Sequence, residues 1–239
     1  MDRRLLGIAA VVLVVAGMGA GLLFGAIAAG GLPSLGGPTP APTVVVYTSK
    51  GFQPTTTVTI PPNWALTADT ADAMEILPLV EGPNGSPVPS ADVASLSLFH
   101  DARAALQDPA CTTTPEPAVG ADAKSLASWV AARPGLTATE PKAVTVGGLP
   151  GWEVEATIDP TWTTSCPFAN GAPSVSILAN DSGSIRWVVF GTERLRLDFL
   201  DVPGGGTVTV NTSATEGSVF PGLANEVAPI IASMRFSAG

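Results

Sequence analysis

Trp152-Glu153-Val154-Glu155-Ala156-Thr157-Ile158-Asp159 alternates apolar and polar residues without a break. A strand has a side-chain period of two, so Trp152, Val154, Ala156 and Ile158 share one face and the acids share the other, the pattern of a half-buried strand. The same alternation returns where Leu195, Leu197 and Phe199 interleave with Arg194, Arg196 and Asp198. Glu153 and Glu155 are then expected to meet Arg186, Arg194 or Arg196 across neighbouring strands, because opposite charges facing each other stabilise antiparallel pairs.

Outward from this segment, strand signals dominate. Residues 55–60 are β-branched and stop at Pro61-Pro62. Residues 74–80 and 93–100 flank the turn-rich Gly82-Pro83-Asn84-Gly85-Ser86 and read as a hairpin. Residues 175–179 and 185–190 form another around Asn180-Asp181-Ser182-Gly183, and residues 207–212 follow Pro203-Gly204-Gly205-Gly206. Two helices stand against this background. Asp122 is placed to cap one that carries Leu126, Trp129 and Val130 on one face and stops at Pro134-Gly135. The other starts near Phe220, with Leu223, Val227, Ile230, Ile231 and Met234 continuing its stripe and Pro229 expected to kink it. The expected fold class is α+β, a mainly antiparallel sheet covered by two amphipathic helices and preceded by one N-terminal transmembrane helix.

That last element rests on residues 5–32, which carry no charge and follow Met1-Asp2-Arg3-Arg4. About 20 apolar residues of helix cross a bilayer, and this run is longer. Arg3 and Arg4 precede it and nothing basic follows until Lys50, so residues 1–4 are expected in the cytoplasm and the rest outside. The length favours an uncleaved anchor in the cell membrane; a signal peptide cleaved near Ala28, releasing a secreted protein, is the alternative. Gly17, Gly21, Gly25 and Ala29 recur every fourth residue, a ridge through which two such helices can pack as a homodimer. Residues 33–43 hold four prolines and read as a stiff linker, and residues 44–239 as one domain outside the membrane.

Cys111 and Cys166 are the two cysteines, both in polar loops, and are expected to pair in an oxidising compartment. The net charge is −9, and Arg3, Arg4 and Asp2 leave about −10 beyond residue 32. Such a domain lacks the basic stripe that nucleic acid needs.

Motifs for chemistry are missing: no Gly-x-Ser-x-Gly, His-Glu-x-x-His, Walker loop or dinucleotide fingerprint occurs. No metal site or cofactor is expected. Asp69, Asp72 and Glu75 lack the spacing of a calcium loop. Glu153 and Glu155 lie on one strand face and cannot flank a glycosidic bond. His100, next to Asp101, is the single imidazole available as a base. Trp129, Trp152 and Trp187 fall on inward faces, whereas Trp162 sits in the loop beside Cys166, where it either lines a ligand cleft or covers the sheet edge. Trp162, Arg194 and Arg196 are the candidate ligand-binding residues.

The order of a strand, the turn Pro61-Pro62-Asn63-Trp64, further strands, a helix near Trp129, the stretch 144–152 and a terminal helix resembles exported bacterial domains of the PsbP-like or LpqN type. That resemblance implies a sheet flanked by helices. Residues 144–152, Asp159-Pro160-Thr161-Trp162 with Cys166-Pro167-Phe168, and Leu200-Asp201-Val202-Pro203-Gly204-Gly205 also resemble a bacterial membrane-anchored domain family to which no activity attaches. The expected function is a membrane-anchored, non-catalytic binding module for a small apolar ligand or an envelope protein. The alternative is an envelope enzyme with an unfamiliar site near His100 or Asp198.

Overall fold

The computed structural model describes residues 43–237. Strands β1 (Val45–Thr48), β2 (Thr55–Ile60), β3 (Trp64–Asp69), β4 (Ala73–Glu81), β5 (Pro87–Pro89), β6 (Ala94–His100) and β7 (Arg103–Ala104) precede helix α1 (Ala123–Ala131). After it come β8 (Leu136–Ala138), β9 (Lys142–Val146), β10 (Leu149–Ile158), β11 (Ser174–Ala179), β12 (Arg186–Phe190), β13 (Arg194–Asp201) and β14 (Thr207–Ala214). Helix α2 (Phe220–Ser233) and β15 (Arg235–Ser237) follow.

The main sheet is antiparallel and runs β3-β4-β6-β14-β13-β10-β8, with β5 added to β4 and β9 to β10. Every residue of β14 is buried, so its two faces support two separate cores. Val208 and Val210 of β14, Leu96 and Leu98 of β6 and Leu200 of β13 point to one side, into a core with Val58, Ile60 and the α2 residues Leu223, Val227 and Ile230. Leu195, Leu197 and Phe199 of β13 and Val154, Ala156 and Ile158 of β10 point to the other, where Leu126 and Val130 of α1 and Ile177 of β11 meet them. Each face therefore has a helix and a three-stranded sheet packed in its core: β1-β2-β15 on the first side and β12-β11-β7 on the second.

This arrangement overturns the α+β expectation. Strand takes 45% and helix 13%, in α-helices of nine and fourteen residues and a three-residue 3-10 turn at Gly217–Val219, so the described chain is mostly antiparallel β. The helices are too short to cover a sheet this wide, and the small sheets supply the rest. The expected transmembrane helix over residues 5–32, its Gly17, Gly21 and Gly25, and the linker up to residue 42 lie outside the described residues. Within the described residues no helix is long and apolar enough to cross a membrane.

Several local expectations hold. The Asp122 carboxylate accepts the Ser125 N–H at 2.9 Å and caps α1, which buries Leu126 and Val130 and half-buries Trp129. Helix α2 buries Phe220, Leu223, Val227, Ile230 and Ile231 and contains Pro229. The strands β11 and β12 pair as a hairpin, and β4 pairs with β6, although β5 intervenes in the chain and adds to β4.

The strand β10 comes close to β13 at Gly151, opposite Leu200. A Cβ at Gly151 would collide with the Phe199 carbonyl oxygen and lie 2.9 Å from the Leu200 Cα, and both are backbone atoms that cannot yield without opening the sheet. Gly151→Ala is expected to lower unfolding stability by at least about 2 kcal/mol in urea titration. An unchanged midpoint would contradict this packing.

Candidate functional site

Cys111 and Cys166 form a disulfide, with Cα atoms 5.6 Å apart and a sequence separation of 55. It ties the loop after β7 to the loop after β10, and Val188, Phe168 and Ala169 pack around it. Each loop is also held from within. The Asp108 carboxylate accepts the Thr112 hydroxyl and the Ala110 N–H, the latter at 2.7 Å, and these bonds hold its carboxyl below the usual range. The Cys166 N–H donates to the Ser174 hydroxyl at 2.7 Å, and the Trp162 indole N–H donates to the Ser174 carbonyl at 3.1 Å.

Trp162 lies over Gly135, just past the end of α1. Gly135 has φ +88°, and a Cβ there would stand 2.6 Å from the indole ring, so the ring packs directly on backbone. Trp162 packs against the second core and walls a cleft of about 400 Å³. Cys111, Asp108 and Gln107 line this cleft from one loop, and Ser176, Val175 and Arg133 complete it.

Arg133 is 5% exposed and follows α1 directly. Its guanidinium stacks on the Trp129 ring, 4.4 Å from the centroid. One Nη donates to the Ser176 carbonyl at 3.0 Å and the other to the Gln107 side-chain oxygen at 3.4 Å. Burial draws its pKa down to about 10, with Glu116 pulling the other way. Sequence reasoning missed Arg133, because Ala131-Ala132-Arg133-Pro134-Gly135 reads as an ordinary helix end. Its partners stand 26 and 43 residues away in the chain.

Arg194 and Arg196 are on the opposite face of the main sheet from Trp162. Arg194 pairs with Glu155 at 2.6 Å and its guanidinium lies 5.0 Å from the centre of the Phe220 ring. Arg196 stands 4.0 Å from Glu153 and 3.8 Å from Asp198. The contacts of Glu155 with Arg194 and of Glu153 with Arg196 are the cross-strand charge pairs expected from the alternation, whereas Arg196 and Asp198 both lie on β13. Burial pushes the Asp198 carboxyl up to about 6, with Arg196 opposing and Glu153 adding to the rise. In the turn before β13, burial pushes Glu193 up to about 7, opposed by the Phe190 N–H that donates to it at 3.1 Å.

His100 lines a second cleft, of about 260 Å³, with Pro54, Leu149 and Phe236. Its imidazole is 3.5 Å from Asp101, whose other oxygen accepts the Thr207 N–H at 3.0 Å. Among the described residues no hydroxyl or thiol is hydrogen-bonded to this imidazole. Asp69, Asp72 and Glu75 are separately engaged. Asp69 accepts the Tyr47 hydroxyl and three backbone N–H groups, Asp72 accepts the Ser184 hydroxyl, and Glu75 accepts the Thr67 hydroxyl. Among the described residues no group of acids, His and Cys is arranged to hold a metal ion.

Fold and site together define a class, a mostly antiparallel β domain with a disulfide-bordered cleft at the end of its first helix. No family model and no curated protein matches the chain. Among solved structures, LpqN of Mycobacterium tuberculosis, described as involved in cell envelope biogenesis, is similar at 18% identity and a TM-score of 0.40. The match covers 82% of this chain and 90% of that one. LpqN is of the type that the sequence resembles, but at this score the likeness carries no conclusion about activity, ligand or location.

Asp198 and Glu193 hold their protons more tightly folded than unfolded, so folding takes up protons between the unfolded and folded values. Stability therefore falls as the pH rises through about 4 to 7. Asp69, Asp108, Asp122 and Asp159 shift downward, and what they contribute is lost only below the unfolded carboxylate range. The melting temperature is expected to rise by about 3–6 °C from about pH 7.5 to about pH 5. Asp198→Asn should flatten roughly half of that rise. A melting temperature that falls over this interval would show that these carboxyls are ionised at no cost.

Proposed function

We propose that the described domain is a non-catalytic binding module on the extracytoplasmic side, and that its ligand seat is the cleft beside Trp162. The observation that carries this reading is a preformed cleft of about 400 Å³ whose walls are fixed by a disulfide, a tryptophan hydrogen-bonded to backbone and a buried arginine. Cavities of this size suit small organic ligands. Rigid walls lower the ordering cost of binding, which is how a small contact area gains affinity. A disulfide between two otherwise separate loops also fits an oxidising compartment.

A binding role is favoured over chemistry by what surrounds the ionisable groups. Catalytic dyads need a nucleophile or a second base within hydrogen-bond reach. Among the described residues His100 is ion-paired with Asp101 and no other acid, Asp198 faces Arg196, and neither borders the larger cleft.

Ligand-observed NMR with a library of small aromatic and aliphatic fragments tests the reading. Binders are expected to shift the Trp162 indole N–H signal, and Trp162→Ala to weaken them by about tenfold or more, an effect of about 1.4 kcal/mol. Arg235→Ala, on β15, should change nothing. Binders that leave Trp162 unperturbed and shift His100 and Phe236 instead would place the seat in the other cleft. Conversion of a fragment to product would contradict the non-catalytic role.

A further inference from the structure

The cleft floor holds a cation with no carboxylate in contact, Glu116 acting on it from beyond ion-pair distance. Among the described residues Arg133 has no carboxylate within the 4.0 Å of an ion pair, in contrast to Arg194 with Glu155 and Arg196 with Asp198. Its two acceptors, the Ser176 carbonyl and the Gln107 amide oxygen, are both neutral. A guanidinium has five N–H donors in a planar fork, so these bonds leave three, among them a buried Nε with no partner. The Ser176 hydroxyl, 3% exposed and also lining the cleft, is likewise buried without a partner. Buried charges are generally paired and buried hydroxyls generally bonded; the Ser97, Thr209 and Thr212 hydroxyls are also without a partner, but they do not line this cleft. Asp108, the acid that lines the same cleft, does not fill the gap, because its oxygens serve Ala110 and Thr112 of its own loop.

The remaining lining combines the apolar Trp162, Val175, Pro109 and disulfide-bonded Cys111 with Thr164 and Ser174. A planar fork over a neutral floor, framed by a ring and aliphatic groups, matches a carboxylate on an apolar body. The chain carries net charge −9, so its overall field repels anions, and one held here owes its place to this single contact.

We infer that the cleft beside Trp162 binds small organic carboxylates, with the acid group on Arg133 and the Ser176 hydroxyl and the apolar body against Trp162 and Val175. This inference rests on the cleft being the ligand seat and adds the chemical class of what it takes. The Gln107 amide oxygen accepts one guanidinium N–H at 3.4 Å and so fixes the side chain at the cleft.

Matched probes separate the two claims. Naphthalene-2-carboxylate, indole-3-acetate and decanoate are titrated calorimetrically, each beside its primary amide, into the full oxidised protein. Each acid is expected to bind at least tenfold tighter than its amide, and only the acids to shift the Arg133 Nε–H resonance. Ser176→Ala should narrow the preference for acid over amide by about threefold to tenfold, and Arg133→Gln should abolish it. If Arg133→Gln does not fold, the Nε–H shift in the unaltered protein still decides. Acids and amides that bind equally and perturb Trp162 would overturn the carboxylate inference and leave the seat standing. No binding of any probe, with Trp162 and Arg133 signals unmoved, would overturn both.

Discussion

Everything in this fold depends on a strand that faces no water. The strand β14 is buried along its whole length, between β6 and β13 and under cover on both faces. A single antiparallel sheet usually packs one face and solvates the other. Here both faces are buried over the central strands, although β14 turns Thr209, Asn211 and Ser213 to the second, and the chain assembles each cover from a helix and a small sheet. The cleft arises where the second of these covers is incomplete. Helix α1 ends at Ala131, β11 begins at Ser174, and the space between them is bounded by the two loops that the disulfide joins.

The disulfide and the aromatic rings then do different physical work. Closing a loop of 55 residues restricts the unfolded chain, an effect worth about 4 kcal/mol in the entropy model. Trp162 and Trp129 act in the folded state. The first packs on the bare backbone of Gly135, and the second lies flat under the Arg133 guanidinium, which spreads a buried charge over a polarisable face. A charge so placed, with two neutral acceptors and no counter-ion in contact, is held by its surroundings in readiness for one.

The sequence made some of this legible. The unbroken alternation from Trp152 to Asp159 located β10 and the sense of its faces, and Glu155 opposite Arg196 and Glu153 opposite Asp198 in the sheet follow from the same pattern. Asp122 ahead of an apolar face identified α1, and the even cysteine count identified the staple. The fold class was not legible, because Thr207-Val208-Thr209-Val210-Asn211-Thr212 reads as a strand with one wet face. Its polar face is in fact buried, with Thr209 and Asn211 both inaccessible and Ser213 hydrogen-bonded to Ser95 at 3.0 Å. Short strands such as β1, β7 and β15 carry too few residues to show a period, and they belong to the small sheets that turn a sheet with helices into a layered β structure. Of the cleft, Trp162 and Cys111 were visible from their loops. Arg133 was not, since nothing local to it announces that Gln107 and Ser176 will close over its side chain.

Amide hydrogen exchange, followed peptide by peptide with the disulfide intact and after reduction, tests most directly that a doubly covered sheet carries a stapled cleft. The account predicts that β14 and the facing β13 exchange slowest in both states, and that residues 105–116 and 159–173 lose most protection on reduction. It would be contradicted by β14 exchanging as fast as the edge strands β3 and β8, or by reduction leaving those two loops unchanged.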